Sequence, residues 1–218
     1  MPPRRGLPAP LDPSVSVHIS AAYQNLASLD LLGKHLAMND KPLRILASIG
    51  LAVGGALGMA GTFASSAALR GVAWGIDGVA LVMAATLLAA LFFRRGQDVV
   101  AAGFLVFAVG EGVILSGAAM DLPASVPSFG AGSSLWAMAL ALISSQRVFP
   151  IFVRLLGFVA ATLFAVTAGQ IFAGTQITPI SRPLPFFAYP VFVATFVGWI
   201  LTLLKSDAPQ NPERSGTE

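Results

Sequence analysis

This chain of 218 residues contains no cysteine. That absence excludes disulfides, thiolate nucleophiles, iron–sulfur clusters and cysteine-based zinc sites. Histidine is nearly missing too. His18 and His35 are the only two, and both precede the first long apolar run. Histidine-ligated haem and a Ser–His pair inside a membrane are therefore excluded. Charge is scarce: 11% of residues are charged, against roughly 25% in a soluble domain. With 56% of the residues apolar, there is too little charge to coat a water-soluble core. The net charge of +3 is spread at one or two basic residues per loop, with no patch or arm, and so predicts no nucleic-acid partner. No apolar run follows Arg4 and Arg5, so no cleavable signal peptide is expected. The apolar run that begins near Leu43 should act as a retained signal-anchor.

Long apolar runs are what the chain has instead. A helix needs about 20 mostly apolar residues to cross a hydrocarbon core of roughly 30 Å. Six stretches meet that demand: 44–66, 71–93, 98–119, 129–147, 150–173 and 184–204. They predict an all-α, polytopic transmembrane bundle occupying 43–204, between a cytoplasmic N-terminal region (1–42) and a disordered cytoplasmic tail (205–218). The fourth stretch is the weakest. Gly130, Gly132, Ser133 and Ser134 dilute its start, and it can span only if neighbouring helices bury it; a re-entrant segment is the alternative.

Basic residues set the orientation. With six spans, one side holds Arg4, Arg5, Lys34, Lys41, Arg44, Arg94, Arg95, Arg147, Arg154, Lys205 and Arg214, and the other holds Arg70 and Arg182. This bias predicts that both termini are cytoplasmic. Trp74 and Trp199 fall near span ends, where an interfacial belt is expected. Arg154, one turn into the fifth span, is expected to snorkel to the headgroups. Pro190 is expected to kink the sixth span or to leave the Phe186 carbonyl open.

Before the first span, Val15, Ile19, Ala22, Leu26, Leu29, Gly33 and Leu36 recur at spacings of three and four. They predict an amphipathic helix over 14–38 on the cytoplasmic surface, capped by Asp12 and Pro13 and separated from the first span by Pro42. The tail is polar and carries Pro209 and Pro212, as disordered segments do.

Glycines and acids are the informative residues within the spans. Gly50, Gly54 and Gly58 lie four apart on one face of the first span, and Gly71 and Gly75 repeat the spacing at the start of the second. Small residues at this interval let helix backbones approach closely, so these five are candidate packing positions, within the chain or between copies. Asp77 and Glu111 are the costly residues. An ionised acid at mid-bilayer costs roughly 2.5–3.5 kcal/mol on insertion scales, and such acids usually face inward and carry function. The rise of 1.5 Å per residue places both within about one turn of the same height, on adjacent antiparallel spans. Facing one another, two carboxylates in a low dielectric cannot both ionise cheaply, and would share a proton or hold a cation. Gln170, near the same end of the fifth span, is a candidate third member. Arg70, two turns from Asp77, is a candidate counter-ion.

No catalytic, cofactor or metal motif is present, so the expectation is a non-enzymatic integral membrane protein without a cofactor. An accessory or structural bundle is the leading reading. A small proton- or cation-coupled transporter or channel using Asp77 and Glu111 is the alternative. The expected surroundings are a lipid bilayer, and the Ala/Gly/Arg-rich, lysine-poor composition is associated with a bacterial inner membrane. A homo-oligomer, a membrane-protein partner and the identity of any small-molecule or ion substrate are all left open.

Overall fold

In hydrocarbon no water is present to hydrogen-bond a free peptide group, so apolar runs of this length close their hydrogen bonds within helices. The computed structural model describes residues 40–118 and 120–205. The helix expected over 14–38 and the tail after 205 lie outside those residues. Six helices follow one another: α1 Asp40–Phe63, α2 Ala67–Arg94, α3 Asp98–Gly117, α4 Val126–Ser145, α5 Ile151–Phe172 and α6 Ala188–Lys205. Each is long and apolar enough to cross a membrane. The chain is a multi-pass integral membrane protein with an all-α, six-helix bundle.

Local chemistry explains why several helix ends differ from the apolar runs. Helix α2 starts at Ala67 because Ser66 caps it, its hydroxyl accepting the Leu69 N–H at 3.4 Å. At its other end, Gly96 takes a positive φ of 67° in the turn to α3. Helix α1 starts at Asp40, so Pro42 lies in its first turn, where no N–H is needed, and not ahead of the helix. The same applies to α6. It starts at Ala188, so Pro190 falls in the first turn and leaves the helix unbroken, contrary to the expected kink.

Consecutive helices from α2 to α6 pack against one another. Helix α1 lies on α2 through its glycines, and it meets α6 where Gly55 faces Val193 and Phe196. We call the end holding Asp40 and Lys205 proximal, and the end holding the 64–66, 118–125 and 173–187 connections distal. Helices α3 and α6 face each other across aromatic rings. Trp199 meets Phe104 edge-on at 5.0 Å, and Phe107 meets Phe196 edge-on at 5.8 Å. Phe92 and Phe104 stack in parallel at 5.5 Å. Trp199 is thus fully buried in the proximal core and forms no part of an interfacial belt. Large apolar side chains such as Val79, Phe93, Leu105 and Ile151 point outward, as a lipid-facing surface requires.

Helix α4, the least apolar by sequence apart from its centre, is the most buried of the six. Its small residues admit its neighbours: a methyl at Gly132 would collide with Ile114 and lie 2.8 Å from the Gly110 carbonyl. Its proximal end is closed by Arg154, which donates to the carbonyls of Ser144 (2.7 Å) and Ser145 (3.2 Å). That guanidinium acts as a helix cap, a more specific role than snorkelling.

Candidate functional site

The site is built where α1, α2 and α3 meet in the distal half. Ten residues separate Asp77 from Ala67 at the distal start of α2, about 15 Å along the axis. Six separate Glu111 from Gly117 at the distal end of α3, about 9 Å. Helix rotation then decides what each acid faces. Asp77 points at the glycine face of α1: a methyl at Gly58 would lie 2.8 Å from Asp77 Oδ2, and one at Gly54 would lie 3.3 Å from Oδ1. Only glycine leaves room for the carboxylate there. Glu111 turns toward α2, where a methyl at Gly78, the residue after Asp77, would lie 3.4 Å from its Oε1. Both carboxyl groups thus lie at the junction of α1, α2 and α3.

Both acids line one cavity of about 90 Å³, space for several waters. Its wall draws on α1 (Gly54, Gly58, Thr62), α2 (Trp74, Asp77), α3 (Glu111, Leu115), α4 (Phe129, Trp136) and α6 (Tyr189, Phe192, Phe196). Met120, Leu122 and Ser125 of one distal connection and Pro179 of another also line it, so the cavity extends to the distal end of the bundle. Among the described residues, no hydrogen bond or ion pair reaches Asp77 Oδ1 or Glu111 Oε2, both of which are buried. Glu111 as a whole is 3% exposed. The Trp136 indole lies beside the Glu111 carboxylate, but its N–H is outside hydrogen-bonding geometry and unpartnered. Tyr189 is near enough to feel the charge of both acids.

The other sequence candidates divide. Gly50, Gly54 and Gly58 all lie at the α1–α2 contact, with Gly50 facing the Ala80 carbonyl at 2.9 Å from a notional methyl. Gly71 and Gly75 pack against no other described part of the chain, since a methyl on either would meet nothing within 4 Å. Gln170 is exposed and lies away from the cavity. The buried stripe of α5 runs through Gly157, Ala160, Ala161, Phe164, Thr167, Ala168 and Ile171, and Gln170 falls off it. Arg70 does not reach down to Asp77. Its guanidinium donates to the Ala64 carbonyl at 2.9 Å and lies 5.8 Å from the centre of the Trp74 ring. The loop carbonyl and the indole hold it at the distal surface, where keeping the charge costs less than burial, although its Nε has no hydrogen-bond partner among the described residues.

Trp136 and Tyr189 escape a sequence search for the site because aromatic residues in an apolar span read as packing. The available signal was their polar tips. A buried indole N–H or phenol O–H needs a partner, and the nearest costly acceptors at that end of the bundle are the two acids. The chain matches no family model, no curated protein and no solved structure.

Proposed function

We propose that this protein is a small, non-enzymatic transporter or channel that takes a proton or cation into the distal cavity at Asp77 and Glu111. One observation carries the reading: two intramembrane acids from different helices line one cavity, and among the described residues no hydrogen bond or ion pair reaches the buried Asp77 Oδ1 or Glu111 Oε2. Buried charges are normally paired or bound to a cation. A purely structural acid would be expected to hold a counter-ion or a hydrogen bond across the helix contact, and this favours transport over the accessory-bundle reading. The distribution of lysine and arginine supports cytoplasmic termini, with the cavity extending toward the external face. The composition is associated with a bacterial inner membrane.

The test is flux in liposomes. Purified protein is reconstituted with an internal pH dye, and a proton or alkali-cation gradient is imposed. Wild type should dissipate the gradient, and the Asp77→Asn/Glu111→Gln double variant should fall to the level of empty liposomes. The variant must elute as one species and melt no lower than wild type. Undiminished flux in the variant sinks the site. A variant that fails to assemble returns the acids to a structural role.

A further inference from the structure

We infer that the ligand of this cavity is an organic ammonium ion, held by the Asp77 and Glu111 carboxylates against a largely aromatic wall. The inference rests on the cation-site reading above and narrows it to one chemical class.

The donor set argues against an inorganic cation. Calcium takes about six to eight oxygen ligands, and magnesium demands a near-octahedral oxygen shell. Here two carboxylates supply the only anionic oxygens of the lining. Among the described residues, no third His, Cys, Asp or Glu joins them to complete a metal site. Three side-chain hydroxyls also line the space: Thr62 and Ser125, which donate to the carbonyls of Gly58 (2.9 Å) and Leu122 (2.8 Å), and Tyr189.

The same wall suits an ammonium with carbon substituents. Phe129, Trp136, Tyr189, Phe192 and Phe196 supply apolar and aromatic surface around the two acids. Aromatic faces attract cations, most strongly where water is excluded, and this is the usual chemistry of quaternary-ammonium recognition. The geometry already occurs at the rim, where the Arg70 guanidinium lies over Trp74. Glu111, which lines the cavity, is almost wholly buried, and its Oε2 has no hydrogen-bond partner among the described residues. A buried acceptor left open in this way is matched by a cationic group. The charged and titratable groups facing the space are Asp77 from α2, Glu111 from α3 and Tyr189 from α6, and α1 and α4 contribute none. An arriving cation therefore meets two carboxyl groups with no positive group of the lining opposing it. A cavity of about 90 Å³ limits the ligand to a compact ammonium.

The test uses full-length protein in nanodiscs, with tetramethylammonium as the probe and tert-butanol as its uncharged counterpart of similar shape. A hydrophobic carbodiimide labels accessible intramembrane carboxyls, and mass spectrometry reads its attachment to Asp77 and Glu111. Tetramethylammonium should slow labelling of the wild-type acids, while tert-butanol at equal concentration leaves it unchanged. Direct binding of tetramethylammonium should weaken about tenfold or more in Glu111→Gln, the loss expected for a desolvated charge contact. Protection by tert-butanol equal to that by tetramethylammonium overturns the inference. So does protection by sodium or potassium alone, though the cation-site reading then stands. Absence of protection by any cation, together with acid-independent flux, removes both. The labelling arm uses only wild-type protein, so it decides the matter even if the variant fails to fold.

Discussion

The two halves of this bundle are filled in opposite ways. The proximal half is solid: Phe92, Phe104, Phe149 and Trp199 interlock between α2, α3, α6 and the turn before α5, all buried. The distal half is hollow: it encloses the cavity, with acids where apolar groups would be cheaper and glycines on α1 that make room for one of them. In lipid the hydrophobic effect does not drive helices together, so packing contacts must hold them. A bundle that interlocks tightly at one end can leave space at the other. The difference teaches where to look: the interlocked rings of the proximal half explain stability, and the distal half brings two acids from different helices to one cavity.

The largest expected effect is on the solid half. Trp199→Ala removes a ring that touches Phe104, Phe107, Phe149 and Phe196. Large-to-small aromatic changes in cores cost about 3–5 kcal/mol. The lower end applies here, because the part that comes from transfer out of water is smaller in lipid. Thermal melting in detergent should show a clear drop, well beyond that of Glu111→Gln, which deletes no packing. If Glu111→Gln destabilises as much as Trp199→Ala, the hollow half is structural after all and the contrast fails.

The next effect sharpens the boundary between the halves. Gly50 faces the Ala80 carbonyl and the Ala84 methyl, each 2.9 Å from an added methyl, and neither can swing aside. Gly50→Val should therefore push α1 off α2 at a cost of about 1–3 kcal/mol. Melting temperature in detergent measures it. A variant as stable as wild type would mean that α1 is not seated on α2 in the folded protein.

Sequence reading reached the helices more easily than the site. Six apolar runs give six spans because the cost of an unpaired peptide group in lipid leaves little else for them to do. Helix α4 was the weak case because hydropathy reports what lipid tolerates, whereas this helix is surrounded mostly by protein. That Asp77 and Glu111 lie at similar heights followed from the helical rise, but the depth of Asp77 did not, because α2 begins at Ala67 and not at residue 71. Rotation was not legible, since a helix that is apolar all round carries little record of which face is inward. That is why Gln170 looked like a cavity residue and is exposed, and why Arg70 looked like a counter-ion and instead reaches the Ala64 carbonyl. Trp199 sat at the right distance from Lys205 for a belt. Only the positions of Phe104, Phe107 and Phe149 place it in the core.

The smallest effect tests whether spacing alone makes a packing motif. Gly75 follows Gly71 at the same interval that separates Gly50 from Gly54, yet nothing lies within 4 Å of a methyl at either. Gly75→Ala should cost nothing in contacts. It also relieves the entropy that glycine loses in a helix, a gain of about 0.4–1 kcal/mol where the backbone suits alanine. The expected result is a melting temperature equal to or slightly above wild type, with an unchanged elution volume. A drop comparable to that of Gly50→Val would show that a second copy of the chain or another membrane helix rests on this face. The glycine pair would then be a contact between molecules, and the distal half would be supported from outside as well as from within.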